Sequence, residues 1–347
     1  MLLLLQLFLY TTLGCSDWMM NDVFGLSVRT MDLGVGPEFG LKSQPRGSSR
    51  KALMQPTIGA AKFGHIISIG ANPASRGGMP LDTAQAGLNE AGLSCDWHTL
   101  LNSSYPNATN TPLDLELFFF CNWALGSFAT AKEVRAALTG PHAVHLWGPK
   151  SAEQNGAHFI VRDATGMGLA VEFLHRQVVL YDDYNDGGLE TGVGVFTNEP
   201  PLAWQWQNVA HYRWKQSLAR PATTMPGTWY PDERFLRVYL TKTAMPIANS
   251  YAEAVQHALH VLNTITVPMG LQMGTDSGFG EGEADHTHYA NIYDHKNATL
   301  YWRQFRNLNL QRVTLSEMEL SEGSAPKVLS LSSNGLPWFN DAAHAFA

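Results

Sequence analysis

Blocks of helical and strand-like periodicity alternate along this 347-residue chain, and the alternation constrains its fold more than any other feature. Apolar residues recur every three or four positions, the helical period, over residues 113–138, 202–218, 231–243 and 250–262. Short apolar runs bounded by turn-forming residues, which predict strands, occupy residues 23–31, 65–69, 88–93, 158–181, 193–197 and 286–314. This order predicts two sheets with helices packed on their outer faces, in one domain.

The composition describes a globular protein and argues against nucleic acid as a partner. Hydrophobic residues make up 45% of the chain and charged residues 15%, which is enough apolar surface for a large core. The net charge is −7 and the sequence holds no cluster of Lys or Arg. Three cysteines do not make a disulfide framework. We interpret Cys95 and Cys121 as small buried thiols because apolar residues flank them, with a disulfide between them as the alternative.

Residues 1–14 form an apolar run that is too short to span a bilayer and that ends in small residues. We interpret the run as a secretory signal cleaved after Gly14, so that residues 15–347 form an exported, single-domain protein. The alternatives are a lipoprotein signal, whose aliphatic position holds Thr12 here, and a buried first strand. Glycosylation sequons, which agree with a eukaryotic secretory route, begin at Asn102, Asn107 and Asn297.

Loops are predicted where Ser, Gly, Pro and Asn dominate, at residues 40–56, 70–81 and 102–112. Residues 182–188 resemble a calcium loop in composition, but their spacing differs from the EF-hand pattern. Tyr184 stands where the second ligand is needed, and no Glu follows at the required distance. We therefore interpret this segment as a turn.

Cys15, directly after the apolar run, is the candidate nucleophile. A thiol attacks a carbonyl carbon only as the thiolate, and it needs a base within hydrogen-bond reach. If cleavage made Cys15 the first residue, its own α-amine, which titrates at about pH 8, would supply that base. Arg29 would then hold the thiolate electrostatically, and Asp32 would orient the amine or form an ion pair with it.

A series of short motifs follows Cys15 in order along the chain. The first two are Arg-x-x-Asp at residues 29–32 and Asn-Glu-x-Gly-Leu at residues 89–93. The later ones are the strand pair at 158–172, Thr-Asn-x-Pro at 197–200, Trp-Gln-Trp-Gln-Asn at 204–208, Gly…Arg-Phe-x-Arg at 227–237, and the strands at 286–305. Together they resemble the choloylglycine hydrolase family, which comprises bile salt hydrolases and penicillin V acylases within the N-terminal-nucleophile hydrolases.

The resemblance implies an α+β fold, a four-layer αββα sandwich of two antiparallel sheets. It also implies hydrolysis of a linear, non-peptide amide bond of a small N-acyl substrate, without cofactor or metal. Cys15 would act as nucleophile and base through a thioester acyl-enzyme, supported by Arg29 and Asp32. Arg234 would complete the polar cluster, and Asn198 would donate a side-chain N–H to the oxyanion. Family members are often tetramers, so the resemblance is compatible with a homo-oligomer, although the sequence does not fix the oligomeric state. We expect no stable membrane-spanning segment.

The sequence departs from the bile salt hydrolases at one position near the hairpin. Those enzymes carry an Asn a few residues after the Asn-Glu-x-Gly-Leu motif, and it helps to hold the active site. The corresponding position here is Thr99. Penicillin acylases also differ there, so amide hydrolysis is expected while specificity for bile salts is not. Trp97, His98 and Thr99 are the predicted substrate-binding residues, and the Trp-, Tyr- and Leu-rich loops suggest an apolar acyl group.

Other functions are also compatible with parts of the sequence. Asp285, His286, His288 and His295 could bind a metal ion, because histidines two apart share one face of a strand. A lipid-anchored binding protein would carry an acylated Cys15 and have no catalytic activity. An amidase similar to acid ceramidase would use the same chemistry on lipid substrates.

Overall fold

The computed structural model describes residues 14–33, 38–48, 59–70, 83–154, 156–218, 225–269, 286–331 and 335–338. Most of this part of the chain is organised by β-strands. In chain order the strands are β1 (Ser16–Met19), β2 (Leu26–Leu33), β3 (Phe39–Gln44), β4 (His65–Gly70), β5 (Ala86–Asn89), β6 (Ser94–His98), β7 (Asp114–Glu116), β8 (His145–Trp147), β9 (His158–Arg162), β10 (Gly168–Leu174), β11 (Gln177–Asp183), β12 (Val195–Phe196), β13 (His286–Asp294), β14 (Thr299–Gln304), β15 (Asn307–Thr314) and β16 (Val328–Ser330).

Two antiparallel sheets face each other and place β1 near the centre of the molecule. The six-stranded sheet has the order β12-β1-β2-β13-β14-β15, and the eight-stranded sheet has the order β11-β10-β9-β6-β5-β4-β3-β16. β7 and β8 form a separate parallel pair. Contacts cross from one sheet to the other, as in the buried ion pair between Asp17 on β1 and Arg162 on β9. The first strand is therefore covered by the second sheet.

Helices cover the outer faces of both sheets. They are α1 (Phe120–Ser127), α2 (Ala131–Thr139), α3 (Leu202–Leu218), α4 (Pro231–Ala244) and α5 (Tyr251–Ile265). Apolar residues of α3, α4 and α5 pack with Trp18 and Val28 of the six-stranded sheet. Those of α1 and α2 pack with Cys95 and Phe159 of the eight-stranded sheet. The predicted αββα sandwich is thus confirmed. Within the described ranges, no helix combines the length and apolar character that a membrane crossing requires.

Most of the predicted elements are confirmed, but the helical stretch predicted over residues 113–138 is two helices, α1 and α2, which follow the short strand β7. The second of them begins after Thr130. Its side chain accepts a hydrogen bond from the Glu133 N–H, and the Glu133 side chain accepts one from the Thr130 N–H, a capping box. The predicted loop at 40–56 is partly wrong, because β3 continues to Gln44 and pairs with β4 and β16. Its polar residues mark a strand near the sheet edge. Most of the loop predicted at 70–81 lies outside the described residues.

Cys95 and Cys121 form a disulfide, so the interpretation as two thiols is wrong. Their Cα atoms are 5.3 Å apart, and the bond joins β6 to α1. Both residues lie in the apolar layer between the eight-stranded sheet and its helices. Burial is common to free and paired cysteines, and for that reason the apolar flanks did not discriminate between them. Cys15 is a free thiol.

The hairpin between β5 and β6 depends on Gly92. Its φ of +85° lies in the left-handed region, and a Cβ there would lie 1.9 Å from the backbone oxygen of His295. The Asn89 side chain closes the turn by accepting hydrogen bonds from the Ala91 and Leu93 N–H groups. Its amide donates to the Leu125 carbonyl on α1. The predicted hairpin is confirmed, and it anchors β6 to both neighbouring layers.

Candidate active site

Cys15 lies at the start of β1, on the side that faces the second sheet. Ser16 pairs with Thr30 on β2, which places Cys15 beside Met31. The Cys15 thiol lies 3.8 Å from Met31 Sδ and 3.6 Å from the Arg29 Nη2 donor. The residue is 5% exposed. The pairing of two consecutive strands therefore brings the thiol and a guanidinium together.

Arg29 is held by both sheets. Its Nη2 donates to the Trp97 carbonyl at 3.2 Å, and its Nη1 donates to the Tyr289 hydroxyl at 2.9 Å. Asp96 Oδ1 lies 3.7 Å from Arg29 Nε, with both side chains fully buried. Burial acts to lower the pKa of Arg29, but Tyr289, Cys15 and Asp96 outweigh it, and the net direction is upward. The guanidinium therefore stays protonated next to the thiol.

The surroundings of Cys15 favour the protonated thiol. Burial raises the pKa of Cys15, because desolvation penalises a thiolate. Arg29 acts in the opposite direction, while the negative charge of Asp32 adds to the increase. Formation of a thiolate at this position would thus require a base close to Sγ.

Arg234, on α4, connects the backbone of Cys15 to Asn198. Its Nη1 donates to the Cys15 carbonyl at 3.0 Å and also to the Ser16 hydroxyl. Its Nη2 donates to Asn198 Oδ1 at 2.9 Å. Asp32 Oδ2 lies 3.9 Å from Arg234 Nη1. All these groups are buried, so the positions of Cys15 and of Asn198 are coupled through one guanidinium.

Asp32 is fixed by two hydroxyl groups. Thr287 donates to its Oδ1 at 2.6 Å, and Thr30 donates to its Oδ2 at 3.0 Å. The Thr30 hydroxyl in turn accepts a hydrogen bond from the Ser16 N–H at 3.0 Å. Burial raises the pKa of Asp32, and Arg234 opposes that shift. Asp32 thus joins β1, β2 and β13 at the end where Cys15 lies.

Asn198 follows β12 and directs its amide toward β6. Its Nδ2 donates to the Thr99 carbonyl at 2.7 Å. Gly14 lies close to the same amide, since a Cβ on Gly14 would be 2.8 Å from Asn198 Nδ2. The Asn198 amide is thus held at Oδ1 by Arg234 and at Nδ2 by the Thr99 carbonyl. An amide group held in this way is preorganised to stabilise developing negative charge.

The five predicted catalytic residues thus lie together, whereas the three predicted substrate-binding residues do not share one surface. The Trp97 indole packs with Phe118 and Phe159 in the layer covered by α1, and only its backbone carbonyl reaches Arg29. Thr99 likewise contacts Asn198 through its carbonyl. His98, between them, is on the same face of β6 as Asp96 and lies in the space between the sheets.

A network of buried charges beside the candidate site was missed at the sequence level. Arg162 Nε lies 2.5 Å from Asp17 Oδ1, and Arg162 Nη1 lies 3.1 Å from Asp183 Oδ2. Tyr293 donates to Asp96 Oδ1 at 2.8 Å nearby. The sequence feature that could have revealed them is the alternation of side chains along a strand, because these charged residues occupy positions that point inward on otherwise apolar strands. We infer that these buried ion pairs fix the spacing of the two sheets beside Cys15.

The three histidines considered as metal ligands do not form one cluster. His286 and His288 stack with ring centroids 4.0 Å apart. His295 lies elsewhere, with its Nδ1 2.7 Å from the Gly92 carbonyl and its Nε2 2.7 Å from the Ser27 hydroxyl. Asp285 is outside the described residues. In the part of the chain that the structure covers, no group of three or more His, Cys, Asp or Glu side chains could hold a metal ion.

His295 is expected to make folding sensitive to acid. Burial lowers its pKa to about 4, although the hydrogen bond to Gly92 acts in the opposite direction. In the unfolded chain the pKa of a histidine is about 6.5, so between pH 6.5 and 4 the unfolded state binds more protons than the folded state. The stability of the fold therefore decreases as the pH is lowered through this window. We expect a loss of about 3 kcal/mol in the free energy of unfolding over this window.

Urea unfolding at a series of pH values measures this loss. In a His295→Gln variant the wild-type advantage should be largest at pH 7 and should shrink by about the same 3 kcal/mol at pH 4. Equal pH slopes for the two proteins would show that His295 does not titrate in this window.

A cavity of about 270 Å³ adjoins the candidate site. Tyr289, whose hydroxyl accepts a hydrogen bond from Arg29, is part of its wall. Phe39 packs edge-on against Tyr289, with ring centroids 5.1 Å apart. Other lining residues, both apolar and polar, include Met269, His286, His288, Phe305 and Arg306. This mixed, partly aromatic cavity therefore meets the candidate site through Tyr289, the hydrogen-bond partner of Arg29.

Comparison with known proteins identifies the family. The family model described as linear amide C–N hydrolases, choloylglycine hydrolase family, matches residues 11–330. A bile salt hydrolase/transferase from Clostridium perfringens (strain 13 / Type A) is 22% identical over 257 residues, which cover 67% of this chain and 73% of that protein.

Solved structures agree in fold. A penicillin V acylase from Agrobacterium tumefaciens has a TM-score of 0.72 at 22% identity, covering 92% of each chain. A mutant conjugated bile acid hydrolase from Clostridium perfringens has a TM-score of 0.74 at 19% identity, covering 94% of this chain and 99% of that one. Since the family model spans nearly the whole described sandwich, the chain belongs to the choloylglycine hydrolase family of linear amide C–N hydrolases.

Proposed function

We propose that this hydrolase cleaves N-acyl amides with Cys15 as its N-terminal nucleophile. In the proposed mechanism the free α-amine accepts the thiol proton, and Sγ attacks the amide carbonyl carbon. The tetrahedral intermediate collapses as the C–N bond breaks. The proton passes from the ammonium to the leaving amine, and the acyl group stays on Sγ as a thioester. Water, deprotonated by the same amine, then releases the carboxylic acid and restores the thiol.

The observation that carries this proposal is the coupling of Cys15 to Asn198 through Arg234. One guanidinium donates to the Cys15 carbonyl and to Asn198 Oδ1, so the thiol and the Asn198 amide keep a fixed relation. Such an amide N–H suits the oxyanion of the intermediate. Arg29, 3.6 Å from Sγ, supplies the positive charge that stabilises the thiolate.

The proposal requires residues 1–14 to be removed. Only then is the α-amine of Cys15 free to act as a base. The position of Gly14 against Asn198 Nδ2 gives a second reason, because that segment competes for the space next to the amide. We propose cleavage after Gly14 during export. The Cys95–Cys121 disulfide supports an oxidising compartment, where such bonds persist.

We propose a small-molecule N-acyl amide with an apolar acyl group as the substrate. The relatives are described as a bile salt hydrolase/transferase and a penicillin V acylase. The aromatic part of the cavity wall, Phe39, Tyr289 and Phe305, suits an apolar group held close to Arg29. Its polar part provides room for a charged or hydroxylated substituent.

Turnover of an acyl-amide panel by the wild type and by Cys15→Ala tests the proposal. The panel should include conjugated bile salts, penicillin V and N-acyl amines with different chain lengths. We expect Cys15→Ala to lower turnover of the best substrate by at least about 10³-fold, because it removes the nucleophile. Unchanged turnover would refute the mechanism.

A mass spectrum of the mature protein checks the other requirement. The expected N-terminus is an unmodified Cys15. An internal Cys15 in the active protein would contradict the proposed base, and an acylated Cys15 would indicate a lipid-anchored binding protein.

A further inference from the structure

We propose that His98 donates a second hydrogen bond to the oxyanion of the tetrahedral intermediate, beside the one from Asn198. The inference rests on the proposed function and adds a catalytic residue to it. It is carried by the backbone on both sides of His98 and by the surroundings of its ring.

The backbone around His98 is fixed by two groups of the candidate site. The carbonyl before it, of Trp97, accepts from Arg29 Nη2 at 3.2 Å, and the same Nη2 lies 3.6 Å from the Cys15 thiol. The carbonyl after it, of Thr99, accepts from Asn198 Nδ2 at 2.7 Å. His98 thus stands between the residue that supports the nucleophile and the residue that receives the oxyanion.

The His98 ring lies in the space between the sheets, the space that also contains the Cys15 thiol and Arg29. It is directly opposite His158 in the β6–β9 pairing, with ring centroids 6.0 Å apart. Phe196, two residues before Asn198, packs against the same imidazole, with ring centroids 5.2 Å apart. His158 is held by Glu172, whose Oε1 lies 3.2 Å from its Nδ1. These contacts hold the imidazole in place between the sheets.

Neither nitrogen of the His98 ring has a hydrogen-bond partner among the described residues, although the side chain is only 1% exposed. A buried polar group without a partner is rare and usually has a function. Burial lowers the pKa of His98 well below its usual range, and Arg29, His158 and Arg234 act in the same direction. The ring is therefore neutral, with one N–H donor and one acceptor.

Asn198 has one side-chain N–H left for the oxyanion. Its amide has two N–H bonds, and one of them is used by the Thr99 carbonyl. Oxyanion holes commonly combine several donors, and histidine side chains are among them. A neutral imidazole N–H can provide this second donor without a change of protonation state. His98 carries the buried, unpartnered donor adjacent to Thr99.

The test compares His98→Phe, which removes the donor, with His98→Gln, which keeps an N–H at similar reach. We expect His98→Phe to lower kcat by about 10²-fold with KM changed by less than about threefold, because the hydrogen bond forms in the transition state. His98→Gln should recover most of kcat. Alkylation of Cys15 by iodoacetamide should proceed at the wild-type rate in both, since it needs the thiolate and no oxyanion hole.

The outcomes separate this inference from the proposed function. If Cys15→Ala keeps wild-type turnover, the proposed function fails. If turnover depends on Cys15 but His98→Phe matches the wild type, only the role of His98 fails. Equal losses in His98→Phe and His98→Gln, with slowed alkylation, would mean that His98 has only a structural role, which also overturns the inference.

A measurement on the wild type covers the case in which the variants do not fold. An N-acyl amino aldehyde forms a hemithioacetal with Cys15, and its oxygen occupies the oxyanion position. In protein labelled with ¹⁵N-histidine, we expect one ring N–H resonance to move on adduct formation, as a hydrogen bond to an oxyanion requires. An adduct that leaves every histidine N–H resonance unchanged would overturn the proposal.

Discussion

A chain whose first residue is Cys15 is expected to hydrolyse an N-acyl amide at least about 10⁴-fold faster than the same chain with Gly14 attached. Two losses combine in the longer chain. The peptide nitrogen of Cys15 cannot act as a base, and a positioned general base contributes about 10²–10⁴-fold. Gly14 also lies against Asn198 Nδ2, and loss of an oxyanion donor lowers kcat by about 10²–10³-fold.

Both chains can be prepared from a tagged precursor by a protease whose cleavage site places either Cys15 or Gly14 first. Intact mass establishes each N-terminus, and kcat/KM is measured on the best substrate of the panel. A Cys15→Ala chain that begins at residue 15 gives the background rate. Comparable kcat/KM for the two cysteine chains, with Gly14 still present by mass at the end of the assay, would contradict the role of the α-amine.

The parts of the site that could be predicted from the sequence alone are those close together along the chain. Cys15, Arg29 and Asp32 lie on consecutive strands, so local pairing brings them to the same end. The hairpin after β5 was predicted from its Asn and Gly residues, and Gly92 indeed adopts φ +85°. In each case a turn or a strand period determines the arrangement.

Asn198 and Arg234 could be placed only through the resemblance to the family. Arg234 contacts the Cys15 carbonyl across 219 positions of sequence, and no local pattern predicts such a contact. The Cys95–Cys121 disulfide could be given only as the alternative to two thiols for a similar reason, because the sequence around a buried cysteine does not show whether it is paired. The pairing of β3 with β16 also depends on packing of the whole chain.

The direction of the Trp97 side chain was within reach of the sequence. Residues two apart on a strand share a face, so Trp97 must lie with Cys95, and His98 with Asp96. The disulfide places Cys95 against α1, and the indole follows it there. Of the neighbouring residues Trp97 and His98, only His98 has a side chain in the space between the sheets.

Replacing Arg162 with methionine is expected to lower the free energy of unfolding by about 3–5 kcal/mol. The guanidinium is fully buried, 2.5 Å from Asp17 Oδ1 and 3.1 Å from Asp183 Oδ2. Without it, two buried carboxylates lose their cationic partner, and desolvation of an unpaired charge is strongly unfavourable. Burial already raises the pKa of Asp17, so proton uptake by this carboxyl would recover part of the loss at low pH.

Arg46→Met is the matched control for this prediction. Its ion pair with Glu90 is similarly short, at 2.6 Å, but the Arg46 side chain is 54% exposed. Exposed ion pairs are screened by solvent and contribute little to stability, so urea unfolding should show little change. Adding Asp17→Asn to Arg162→Met should restore part of the lost stability, because one uncompensated charge is removed. Equal losses of unfolding free energy in the two arginine variants would contradict the prediction, because the buried ion pairs between the sheets would then stabilise the protein no more than an exposed pair does.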